Sequence, residues 1–220
     1  MHQPRLLDEP LAWDATPFLP DKRDDLNALS EASADCRGCD LYSDATQTVF
    51  GEGRKQARLV LVGEQPGDQE DRMGRPFVGP AGRLLDDALE EAGIDRDEVY
   101  VTNAVKHFKF LERGKRRIHS KPNAREIRAC KPWLLSELDA IQPDIVVCLG
   151  ATAAQALLGP AFRVTQQRGQ PLPGNGVARY VVATVHPASV LRAADDASRE
   201  QEREAFVADL GKVRSLLASR

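Results

Sequence analysis

The chain has 220 residues, 42% hydrophobic and 29% charged, with 30 Lys and Arg against 33 Asp and Glu for a net charge of −3. That composition suits a globular α/β domain with a sizeable core and excludes a disordered or fibrous chain. Apolar runs such as Val181 to Val185 fall far short of the roughly 20 residues a membrane helix needs, and no basic-then-apolar leader opens the chain, so a cytoplasmic protein with no membrane partner is expected.

Residues 1–22 are rich in proline and acids and read as an extension preceding a single domain over 23–220. A short helix is expected over 24–34, just before Cys36. The pattern then alternates: strand 58–63, helix 80–92, strand 98–103, helix 123–140, strand 144–149, helix 151–158, strand 179–185 and helix 198–217. Pro80 near a first helical position, Gly93 past a helix end, and Asn123 followed by Glu126 three residues on mark helix boundaries. Strands alternating with helices predict a three-layer α/β/α sandwich around a central four-stranded parallel sheet.

The connection between the first strand and the helix at Pro80 is long and chemically loaded. Residues 63–82 hold Glu64, Gln65, Asp68, Phe77 and five glycines, where a plain turn needs about two to six residues. No Gly-Lys-Ser/Thr follows, so this is not a phosphate-cradling loop. In open α/β sheets ligands bind beyond the carboxyl ends of the strands, and those ends here deliver Glu64 and Gln65, Asn103, Gly150, and His186. Between Lys106 and Lys121 lie seven basic residues against one acid, Glu112, with Phe108 and Phe110 interleaved. Aromatics within a basic run point to a loop that tracks phosphates, whereas the charge run alone would read as a solvated loop.

Cys36 and Cys39 form a Cys-x-x-Cys pair, with Cys130 and Cys148 remote. In a cytoplasmic chain such a pair reads as metal or redox chemistry, and two thiolates need two further ligands to complete an iron or zinc site. Cys130 is available, although it also lies on an apolar helical stripe; Cys148 sits within a buried strand and is assigned to the core. His107, beside the basic run, is the better fourth ligand, and spacing alone leaves iron–sulfur and zinc both open.

Together these residues resemble the iron–sulfur uracil-DNA glycosylases of family 4, and more closely the UdgX class within them. The likeness spans about residues 36 to 192 and rests on Gly63-Glu64-Gln65-Pro66-Gly67, Pro76-Phe77-Val78-Gly79-Pro80-Ala81-Gly82, Thr102-Asn103-Ala104-Val105-Lys106, Cys130-Lys131-Pro132-Trp133 and His186-Pro187-Ala188-Ser189. Gln65 and His107 depart from the ordinary family 4 pattern, and the inserted Lys115-Arg116-Arg117-Ile118-His119-Ser120 marks the UdgX class. The resemblance implies uracil-containing DNA as partner, single strands preferred because unstacking a base costs least there, and a monomeric enzyme. It implies a [4Fe–4S] cluster on Cys36, Cys39, His107 and Cys130, with uracil held by Gln65, Asp68, Phe77 and Asn103. It further implies catalysis by His119, Glu64 and His186, and DNA contacts from Lys106, Lys115, Arg116, Arg117, Ser189 and Arg192. In the UdgX class His119 would capture the abasic sugar covalently. The alternatives are an ordinary multiple-turnover family 4 enzyme and a cluster- or zinc-bearing nucleic-acid-binding protein without catalysis.

Overall fold

The computed structural model describes residues 13–219. Its centre is a parallel sheet of β1 (Leu59–Gly63), β2 (Val99–Asn103), β5 (Ile145–Leu149) and β7 (Tyr180–Thr184), with a fifth strand, β6 (Pro171–Pro173), antiparallel to β7 at one edge. The order is β2-β1-β5-β7-β6. The expected sandwich is present, but its sheet has five strands where four were expected. Pro-Leu-Pro carries no alternation to mark a strand, and proline is tolerated there because an edge leaves its missing N–H facing no partner.

β1, β2 and β5 are buried along their whole length, as expected of parallel strands covered on both faces. Alternate residues feed two cores. Val60, Val62, Val146 and Cys148 pack with Leu134, Leu138, Ala153 and Ala154 on one face. Leu59, Leu61, Val101 and Val147 pack with Leu85, Leu89, Phe206 and Leu210 on the other. The first face is covered by α4 (Ala124–Ile141) and α5 (Ala151–Leu158), with α1 (Leu26–Ser33) against α4; the second is covered by α3 (Pro80–Glu91), α7 (Pro187–Leu191) and α8 (Asp196–Ala218). Asn123 caps α4 through bonds from Arg125 N and Glu126 N, and the Glu126 carboxylate accepts in return from Asn123 N at 2.7 Å; this is the reciprocal capping its sequence predicts. A further short helix, α6 (Val164–Gln167), precedes β6.

Two elements lie where the sequence reads as loop. The connection after β1 contains α2 (Asp68–Met73), and the basic run folds into a hairpin of β3 (Phe110–Arg113) and β4 (Arg116–His119) that turns at Gly114, φ 60°. Of the expected extension, residues 1–12 lie outside the described residues. From Trp13 onward the chain packs on the domain: Ala15 N donates to Ala129 O at 2.9 Å, and the Arg125 guanidinium lies 4.0 Å from the Trp13 ring. Among the described residues no helix is long and apolar enough to cross a membrane.

Candidate active site

The carboxyl ends of β1, β2, β5 and β7 form one rim, and the topology brings Glu64, Asn103, Gly150 and His186 to it. Gly63 ends β1 with no side chain, and the space above it is taken by its neighbours. A Cβ there would lie 2.3 Å from Asn103 Oδ1 and 2.8 Å from Phe77 Cζ. Asn103 is 3% exposed; its side-chain amide takes no hydrogen bond from any described residue and is not among the fully buried unpaired groups, so a donor and an acceptor open together at the rim. Phe77 holds φ 56°, an uncommon conformation for an aromatic residue, of the kind that gathers at functional sites. Its ring stacks on His186, centroids 6.2 Å apart and planes 23° apart.

His186 Nδ1 accepts from Ala188 N at 3.1 Å, which leaves the neutral ring's proton on Nε2. Burial pushes this imidazole down to about 4, against the pull of Glu64 and with help from Arg192 and His119, so it is neutral at physiological pH. Burial pushes the Glu64 carboxyl up, but hydrogen bonds from His119 and Thr152 and the nearby imidazoles outweigh it and hold Glu64 below the usual range. Glu64 Oε2 accepts from Thr152 Oγ1, and Glu64 Oε1 lies 3.3 Å from His119 Nε2. Thr152 was missed in the sequence; its signal was a hydroxyl two residues beyond the Gly150 strand end. The rim therefore combines an anionic carboxylate, a neutral imidazole donor, an unpartnered amide and an aromatic face. Two clefts of about 390 and 320 Å³ open elsewhere, around Arg54 and Asp95–Val99, and contain none of these groups.

The hairpin is held over the rim by residues expected to touch ligand. Gln65 Nε2 donates to the carbonyls of Lys109 and Ser120, and its Oε1 accepts from Lys109 N, each at 3.1 Å. Its side-chain amide, expected on uracil, here ties β3 and β4 to the end of β1. Arg117, expected on DNA, instead turns inward. Its Nε meets Asp68 Oδ1 at 2.5 Å, its Nη1 meets Asp71 Oδ2 at 2.6 Å, and its guanidinium covers Phe108 and Phe110. The Asp68 carboxylate, expected on uracil, is correspondingly engaged by Arg117 and Arg72. Lys106, expected on DNA, has a side chain 1% exposed and paired with Glu137 in the core. Lys115, Arg116, Ser189 and Arg192 are exposed, and His119 has half its side chain open to solvent.

Cys36, Cys39 and Cys130 are buried in one cluster with Trp133, Ala15 and Val105. Cys36 Sγ accepts from Trp133 Nε1 at 3.1 Å and Cys130 Sγ from Lys106 N at 3.2 Å. Burial pushes the Cys39 thiol up to about 11 against a backbone hydrogen bond at Leu41, and Cys130 up to about 12 against Lys106, with neighbouring cysteines adding smaller upward pushes; such thiols are poor nucleophiles and ionise only for a metal. Among the described residues no three His, Cys, Asp or Glu side chains close on a single ion, while a multi-iron cluster is larger and spreads its ligands. Inward-facing sulfurs with N–H donors aimed at them fit thiolate ligation of that kind. His107 is 5% exposed, with Nε2 3.1 Å from the Thr48 hydroxyl and Nδ1 free of protein partners among the described residues. Cys148 is fully buried in β5.

Residues 50–211 match the model of the uracil DNA glycosylase superfamily. The chain belongs to that superfamily. It is 38% identical to a type-4 uracil-DNA glycosylase of Thermotoga maritima, over 87% of this chain and 94% of that protein. A type-4 enzyme of Archaeoglobus fulgidus is 36% identical over 82% of this chain and 87% of its own length. A type-5 uracil-DNA glycosylase of Pyrobaculum aerophilum is 32% identical over 61% and 63% of the two chains. Within this superfamily member, the rim beyond β1, β2 and β7 is where the chemistry-bearing side chains converge, and the hairpin of β3 and β4 closes one side of it.

Proposed function

We propose that this protein cleaves the glycosidic bond of deoxyuridine in DNA, acting as a monomer with single strands preferred. The observation that carries the reading is the Asn103 amide, set beside Phe77 above Gly63 with no hydrogen-bond partner among the described residues. A flipped uracil would stack on Phe77 and present O4 and N3–H to the donor and acceptor of Asn103. As C1′–N1 breaks, negative charge gathers on O2 of the base, where the neutral His186 Nε2–H would donate. Lys115, Arg116, Ser189 and Arg192, exposed around the rim, would bear on the sugar–phosphate chain. Incubation with a single-stranded oligonucleotide containing one uracil should release the base and leave an alkali-labile site, and the thymine oligonucleotide should stay intact. No base release from the uracil strand would overturn the proposal.

Glu64, held anionic, would orient whatever captures the sugar cation. With water as that nucleophile the enzyme turns over, and the names of the type-4 relatives fit this ordinary course better than trapping. One observation supports a second course: His119 Nε2 stands 3.3 Å from Glu64 Oε1, so an attack by the other ring nitrogen would have Glu64 at hand to take the Nε2 proton.

Cys36, Cys39 and Cys130, with His107 through Nδ1, would hold a [4Fe–4S] cluster, which would tie the N-terminal segment to α4 and stabilise the fold. Cys36→Ala or Cys130→Ala is expected to abolish broad visible absorbance and lower the melting temperature, whereas Cys148→Ala should keep the colour. Bleaching by Cys148→Ala but not by His107→Ala would show the ligand set to be wrong at both positions. Gly63→Ala is expected to cut uracil release at least hundredfold, since its methyl overlaps Asn103 and Phe77 where the base would sit; the melting temperature separates this from unfolding.

A further inference from the structure

Lys106 is pulled out of the basic run into the core, and its contacts reach both the backbone carbonyl of the base-facing residue Asn103 and the cysteine cluster. Its side chain is 1% exposed and that of Glu137, on α4, is fully buried. The ammonium has three protons and three acceptors: the Glu137 carboxylate, Thr102 Oγ1 at 2.6 Å and the backbone carbonyl of Asn103 at 2.8 Å. Glu137 is fixed in turn by Tyr100 Oη at 2.9 Å, Gly51 N at 3.0 Å and Thr102 Oγ1 at 3.0 Å. At its other end the Lys106 backbone N–H donates to Cys130 Sγ at 3.2 Å.

Cohesion alone is a weak reason for this pair. Taking an ammonium and a carboxylate out of water is costly, and replacing such a pair by well-packed apolar side chains of equal volume is often neutral or stabilising. What a buried, fully satisfied ion pair supplies is a single geometry. Here that geometry is imposed on the last residue of β2, where the chain leaves the sheet. Ala104 N and Val105 N still bond to Gly63 O and Glu64 O, but the Asn103 carbonyl depends on Lys106. A recognition amide must be held to roughly 0.5 Å to distinguish one hydrogen-bonding edge from another.

We propose that Lys106 and Glu137 are a positioning pair for Asn103 and so set discrimination between uracil and cytosine. The inference rests on the glycosylase reading above, through the role given there to Asn103.

The test compares wild type with Lys106→Met/Glu137→Gln, which removes both charges together and strands neither. Single-stranded uracil and cytosine oligonucleotides are the substrates, and backbone amide exchange is followed in parallel. The double variant is expected to lose at least tenfold in the uracil-to-cytosine ratio of kcat/KM. Exchange at Ala104 and Val105 should quicken at least tenfold while Leu61 and Val147, deep in the sheet, stay protected. Lys106→Gln/Glu137→Gln, which keeps a donor for the Asn103 carbonyl, should recover part of the discrimination. A folded double variant with a ratio within twofold of wild type overturns the proposal, even if its exchange quickens, because the pair would then be structural only. If wild type releases no uracil the glycosylase reading falls, and exchange at Ala104 and Val105 decides the positioning claim alone, unchanged rates overturning it. Should the double variant not fold, Glu137→Gln alone, which keeps the acceptor but removes the charge that seats the ammonium, carries the same comparisons.

Discussion

His186→Ala is expected to slow uracil release about 10²- to 10³-fold, the usual loss when one preorganised donor to a developing oxyanion is removed. The size follows from the ring's state. Its Nδ1 is occupied by Ala188 N–H and burial keeps it neutral, so Nε2–H points its dipole at the leaving base without waiting for a proton. The same burial makes a pH prediction. With a folded pKa of about 4 against an unfolded value of about 6.5, the unfolded chain binds this proton more readily between those limits. The contribution to stability is therefore complete above about pH 6.5 and is lost as pH falls toward and through 4. The melting temperature of the wild type should drop across that window, and that of His186→Ala should drop less. A variant that releases uracil at the wild-type rate would remove His186 from the reaction.

His119→Ser separates the two courses proposed for the sugar cation. If His119 is the nucleophile, wild type incubated with uracil-containing DNA yields a heat- and denaturant-resistant protein–DNA species, absent with the thymine control. In that course the unprotonated ring nitrogen gives its electron pair to C1′, the C1′–N1 pair departs with uracil, and the single N–H proton on the other ring nitrogen passes to Glu64. His119→Ser should abolish the species while preserving part of the base release, since Asn103, Phe77 and His186 are untouched and water can occupy the vacated space. Wild type that processes many equivalents without cross-linking, or a serine variant that cross-links as fast as wild type, leaves the ordinary multiple-turnover course in place. The assay reads a covalent band, so its contrast is all or none.

The layered architecture was legible because its cues are local. Apolar runs at β1, β2, β5 and β7, proline at the start of α3 and the Asn123–Glu126 cap placed the main elements within about two residues of where they lie. The hairpin was not legible, because its period-two pattern is hidden by charge. Arg117 faces inward and the half-exposed His119 turns to Glu64, while Leu111 and Ile118 face outward, 60% and 39% exposed; a basic stripe without an apolar face reads as loop. β6 was hidden by its prolines.

At the site, the chain by itself determined which chemical groups the strand ends present: a carboxylate after β1, an amide at the end of β2 and an imidazole after β7. Only the tertiary structure decided which of the polar side chains nearby remain free to meet a ligand. Gln65 is taken up by Ser120, 55 residues away, Lys106 by Glu137, 31 residues away, and Glu64 meets Thr152 across 88. Composition and spacing carry backbone preference and side-chain chemistry. A hydrogen bond between distant residues depends on sheet order and helix placement, and a buried polar group must find its partner wherever the fold brings one.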